Sequence, residues 1–107
     1  MEKVVLKLYV SGNAPRYTRA IESAHRIREK LSGYDVQLEV IDIGEYPERA
    51  IEDDILAIPT LIKKLPPPIR RLIGDLSDPD KVLMVLDLAP LGFKGSEVQG
   101  SEVQRLF

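Results

Sequence analysis

A chain of 107 residues, 44% hydrophobic and 30% charged, has the material for one packed domain and too little for two. Its formal net charge of −2 argues against nucleic acid as the main partner, because phosphate binding needs clustered, uncompensated positive charge. It has no cysteine, which excludes disulfides, thiolate nucleophiles and thiolate metal sites.

The opening MEKVVLKLYV lacks the length and cleavage pattern of a signal peptide. No run approaches the ~20 apolar residues that cross a bilayer, so a cytoplasmic protein with no membrane partner is expected. Residues 4–10 form a nearly continuous β-branched and apolar run, the pattern of a strand buried on both faces. Ser11-Gly12-Asn13 breaks it, and Pro15 falls where a first helical turn begins. Tyr17, Ile21, Ala24, Ile27 and Leu31 then recur at spacings of three and four, with Arg16, Arg19, Glu22, Arg26, Glu29 and Lys30 on the other side. That is a two-sided helix of about four to five turns.

Gly33 ends the helix, and residues 36–41 alternate as a second strand. A helical crossover of this length makes the two strands parallel and the connection right-handed. Pro47 opens a second, weaker helix that runs to about residue 54. Residues 56–62 read as a third strand with Pro59 at its entry, since proline cannot donate to a ladder and belongs at a strand start or in a special turn. Pro66-Pro67-Pro68 marks a stiff bend, and residues 69–73, with Arg70 and Arg71 inside them, read as a fourth strand antiparallel to the third.

Ser77 and Asp78 precede Pro79, and Asp80 lies three residues after Ser77, a complete helix-start signal. Residues 82–86 are apolar on every side and fit a strand as well; the capping signal favours helix. Pro90 and Gly92 close this element. Residues 95–99 (GSEVQ) are repeated as 100–104, too short for a solenoid, and read as part of a flexible tail. The expected division is a domain over 1–91 and a tail over 92–107.

His25 is a lone surface histidine with no further ligands at helix spacing, and no cofactor is expected. Asp75, Asp78 and Asp80 are accounted for by a helix start and its dipole. Asp87 stands near a helix C-terminus, where negative charge is unfavourable.

The order βαβαββα resembles the thioredoxin arrangement, an α/β single domain, and Ala57-Ile58-Pro59-Thr60-Leu61 is similar to the segment in which thioredoxins carry a cis proline. The region that would hold their cysteine pair reads Ser11-Gly12-Asn13-Ala14-Pro15. A more specific resemblance, to the KaiB family, is carried by Leu8-Tyr9-Val10-Ser11-Gly12-Asn13, by Val40-Ile41-Asp42 and by Ile55-Leu56-Ala57-Ile58-Pro59-Thr60-Leu61. It continues through Leu65-Pro66-Pro67-Pro68-Ile69-Arg70-Arg71-Leu72-Ile73-Gly74-Asp75-Leu76-Ser77 and Lys81-Val82-Leu83.

The resemblance implies a binding protein and no enzyme. Its thioredoxin-like state docks on a KaiC-type ATPase ring and captures KaiA or competes with a SasA-type histidine kinase. It also implies an alternative, tetrameric ground-state fold with a rearranged C-terminal half. Partner contacts are implied at Lys63, Arg70, Arg71 and Asp54, and fold-defining roles for Pro59, Val85 and Asp87.

Two departures from the family pattern bear on mechanism. Clock members typically carry Gly where this chain has Val85, and removing Gly from a helix interior removes a penalty of roughly 0.5–1 kcal/mol. The thioredoxin-like form is therefore expected to dominate, as a monomer. Glu39 stands where clock members often carry Lys, and Asp54 near a position where they commonly do, a reversal that changes association rate and partner choice more than fold. A paralogue serving stress or histidine-kinase signalling is the alternative reading. Arg70 and Arg71 either grip an acidic partner or cover a sheet face with their aliphatic stems. Ser11 and Tyr17 invite comparison with glutathione-using thioredoxin relatives, but the chain has no second helical domain to complete such a site.

Overall fold

A computed structural model describes residues 2–88. The elements run β1 (Lys3–Val10), α1 (Pro15–Lys30), β2 (Asp35–Asp42), α2 (Pro47–Glu52), β3 (Thr60–Leu65), β4 (Arg70–Ile73) and α3 (Pro79–Val85). The strands form one sheet in the order β2-β1-β3-β4. β1 and β2 are parallel, as the crossover length requires, while β3 is antiparallel to both β1 and β4.

Alternation along β1 sorts the core into two layers. Val4, Leu6, Leu8 and Val10 point to one face, where they pack with Tyr17, Ala20, Ala24 and Ile27 of α1 and Val82 and Leu83 of α3. Tyr9 points to the other face and packs with Ile41 and Ile62, beneath Ala50 of α2 and Ile55. Val5 and Lys7 are half-buried, so the strand is closed on one face and partly open on the other. α1 starts without a side-chain cap at Ala14, relying on Pro15 at its first turn, and ends with Arg28 and Lys30 against the negative end of its dipole.

Several sequence expectations shift. β3 begins at Thr60, four residues later than the apolar run implies, because residues 57–59 form a bend that includes the cis Ile58–Pro59 peptide. Leu65–Pro66 and Pro67–Pro68 are also cis. The cap of α3 is Asp78, which accepts from the Lys81 N–H at 3.4 Å; Ser77 instead donates its N–H to Asp75 at 2.9 Å. Residues 82–85 are helical, as the capping signal indicated. The tail boundary at residue 92 and the pentapeptide repeat lie outside the described residues.

α2 and α3 end with the same device. In α2, Asp54 donates its N–H to Ile51 and Ile55 to Ala50, at 3.1 and 2.9 Å. In α3, Asp87 donates to Met84 and Leu88 to Leu83, at 3.1 and 2.8 Å. Each pair of bonds satisfies the helix's orphan carbonyls and requires a left-handed residue just past the cap. Glycine usually fills that position; here Asp54 (φ 53°) and Asp87 (φ 59°) do.

Candidate docking surface

The polar anchor of the α2 face is built from β1, α2 and β3. Tyr9 is fully buried, and its hydroxyl lies 2.5 Å from Asp53 Oδ2 and 3.1 Å from the Arg49 carbonyl. The hydroxyl has one proton to give, and the shorter, charge-assisted contact to the carboxylate takes it. Lys64 reaches the other oxygen of Asp53 at 2.6 Å. Burial alone would raise the Asp53 carboxyl, but the hydrogen bonds from Lys64 and Tyr9 outweigh it and hold it below the ordinary range. Burial and the adjacent carboxylate push the Tyr9 phenol upward. Nearby, Arg49 grips Glu39 through two bonds of 2.8 and 3.1 Å, fastening α2 to β2.

This anchor fixes where α2 stops and hence what projects beyond it. Asp54 is exposed at the left-handed turn, and its carbonyl accepts from Arg71 Nη1 of β4 at 3.2 Å. Around that contact lie exposed apolar side chains: Ile51 at the end of α2, Leu56 ahead of the bend before β3 (93% exposed) and Ile73 of β4. Exposed apolar side chains grouped beside exposed charged ones are the usual composition of an interaction surface.

The other site residues lie elsewhere. In the β3–β4 register Lys63 stands opposite Arg70 and Ile62 opposite Arg71, so Arg70 and Arg71 point to opposite faces of the sheet. Both arginines are exposed. Lys63 is only 1% exposed, on the face covered by α1 and α3, which corrects its assignment as a partner contact in this fold. Burial lowers its amine, against the opposing pull of Asp87. Tandem lysines on alternating faces gave no sign of which would be enclosed.

Asp53 and Tyr9 went unnoticed in the sequence because an Asp at a helix end and a Tyr in a strand are ordinary separately. Val85 lies half-exposed at the last turn of α3, and Asp87 is exposed just beyond it. His25 is exposed, and the described residues contain no group of three acidic or histidine side chains placed to hold a metal. Asp80 pairs with Lys30 at 3.0 Å. Tyr17 is buried, and its hydroxyl accepts from Arg16 at 2.8 Å. No helix among the described residues is long and apolar enough to cross a membrane.

A thioredoxin-type sheet with a cis proline before β3, in a chain without cysteine, defines a thioredoxin-fold domain whose role does not rest on thiols. The KaiB domain model matches residues 7–88, and the chain belongs to the KaiB family. It is 46% identical over 94 residues to the circadian clock protein KaiB3 of Synechocystis sp., covering 88% of this chain and 92% of that one. It is 55% identical over 84 residues to the circadian clock oscillator protein KaiB of Thermostichus vulcanus, covering 78% of each. Among solved structures, the N-terminal domain of Synechococcus elongatus SasA superposes with a TM-score of 0.63 at 21% identity, over 81% of this chain and 86% of that one. Mitochondrial thioredoxin 3 of Saccharomyces cerevisiae superposes with the same TM-score at 15% identity, over 81% and 79%. These two likenesses establish the thioredoxin-like fold.

Proposed function

We propose that this protein is a docking module of a circadian-clock or related timing system. Its surface around Asp54, Arg71, Leu56 and Ile73 binds a KaiC-type ATPase ring. On that ring it recruits a KaiA-type protein or displaces a SasA-type histidine kinase. It acts by occupying a site, without catalysis, in the cytoplasm, and as a monomer in the fold described above. Residues 1–91 form the docking domain, with 92–107 as its tail.

The observation that carries the reading is the fold shared with the SasA N-terminal domain. Two chains with the same scaffold can present similar edges and helix faces to one ring and so compete for it. A second reading is favoured by charge. Glu39 is tied to Arg49, and Asp54 stands exposed; by the resemblance above, acidic groups stand at or near positions where clock members commonly carry Lys. On that reading the partner is a different ring or kinase with a complementary basic rim.

Gel filtration of the full chain with purified KaiC hexamer, with ATP and with ADP, tests the proposal. A nucleotide-dependent complex that Leu56→Asp weakens at least tenfold is expected. A complex formed equally well by Leu56→Asp would move the surface elsewhere. No complex with KaiC at any nucleotide state would overturn the ring reading in favour of the second.

A further inference from the structure

Leu56 is the most open of the large apolar side chains on the described surface. An apolar side chain on a yielding turn folds back onto neighbouring apolar surface, so one held out in water needs a turn that is fixed. Ile55 supplies a first restraint. Its side chain is half-buried against the layer of Tyr9, Ile41 and Ile62, and its N–H donates to the Ala50 carbonyl at 2.9 Å. With Ile55 turned inward, Leu56 is directed outward.

Two further restraints come from neighbouring strands. Lys64 of β3 donates to Asp53 Oδ1 at 2.6 Å, and Arg71 of β4 donates to the Asp54 carbonyl at 3.2 Å. The bonds clasp consecutive residues of the turn, one through a side chain and the other through the main chain. They tie the turn to the sheet as well as to α2. The acceptor also defines what Arg71 does. Its guanidinium forms no ion pair among the described residues, and the group it holds is a neutral carbonyl. The nearby acids Asp53 and Glu39 are matched by Lys64 and Arg49. The face therefore offers a partner exposed apolar area at Ile51, Leu56 and Ile73 more than net charge.

We infer that Lys64 and Arg71 are positioning residues, which brace the turn from Asp53 to Leu56 and present Leu56 as the side chain a partner's apolar pocket receives. The inference rests on the ring reading and reassigns Arg71 within it: the guanidinium serves docking through the Asp54 carbonyl, without a charge contact to the partner. A partner that accepts only the braced turn sees its affinity scaled by the braced fraction, so a turn braced about one time in ten binds about tenfold more weakly. That cost is paid through Leu56 and vanishes when Leu56 is gone.

The test uses the full chain with Arg71→Ala and, separately, Lys64→Met, each compared in the parent and in a Leu56→Ala background. In the free proteins, ¹⁵N relaxation should show the backbone of residues 54–56 rigid in the parent, with order parameters near ~0.85, and looser in both variants. Binding to purified KaiC hexamer, in the nucleotide state that gives a complex, should weaken by about threefold to tenfold in each variant, mostly in the association rate. In the Leu56→Ala background the same substitutions should change affinity by less than about twofold, the non-additivity of residues that act through one another. A turn that stays rigid in both variants would overturn the inference and leave the ring reading standing. So would an Arg71→Ala loss equally large with and without Leu56, which marks a direct partner contact. No complex between KaiC and the parent chain would remove the ring reading, and this inference with it.

Discussion

Asp54 stores backbone strain that a single substitution can release. Left-handed backbone costs an L-residue roughly 1–2 kcal/mol, and Asp is among the non-glycine residues that tolerate it best. Glycine does not pay this, but its freer unfolded chain costs about 0.4–1 kcal/mol. Removing a carboxylate from beyond the C-terminus of α2 adds a smaller gain. The Arg71 contact survives because it is made to the Asp54 carbonyl.

The net expectation for Asp54→Gly is a stabilisation approaching ~1 kcal/mol, which for a domain of this size raises Tm by about 4–8 °C. Asp54→Ala keeps the Cβ and with it the left-handed cost, so it should fall below Asp54→Gly by about 1 kcal/mol. Urea titration and thermal melts followed by far-ultraviolet circular dichroism give the ranking directly. A ranking with Ala at or above Gly would refute the left-handed turn as the source of strain. Asp87→Gly shares the mechanism but also removes the carboxylate facing the buried Lys63, so its gain should be smaller.

Tyr9→Phe removes the buried bond to Asp53 and should cost about 2 kcal/mol in urea unfolding. The same anchor governs the acid limb. The unfolded Asp53 carboxyl titrates near ~3.9 and the folded one lower, so stability is full above that value and falls with pH through the window beneath it. Asp53→Asn should flatten that limb, and an unchanged acid slope would contradict the assignment. Lys63→Met should stabilise the fold by about 1 kcal/mol at neutral pH by replacing a buried ammonium with an apolar chain of similar length. Burial lowers the folded amine below its unfolded value near ~10.4, so the variant's advantage should shrink as pH rises toward that value in alkaline urea titrations. Val85→Gly, at the last residue of α3, should weaken the helix by only about 0.3–0.5 kcal/mol and, on the alternative-fold reading, populate strand pairing over residues 82–88, seen in backbone NMR shifts.

Local pattern was enough for much of this protein. Three- and four-residue spacing from Tyr17 to Leu31 defined the inner face of α1, the helical crossover defined a parallel first pair, and the short proline bend an antiparallel last one. The absence of cysteine settled which chemistry the scaffold lacks. Pairings distant in sequence required the folded chain. Lys63 and Lys64 are adjacent and chemically alike; β3's position beside β1 sends one beneath α1 and α3 and the other to Asp53. Asp53 and Asp54 are adjacent as well, yet one closes a buried network and the other turns left-handed into solvent. Residue type and periodicity specify which face a side chain takes within its own element. Which element covers that face, and which partner waits across the sheet, is decided only when the layers pack.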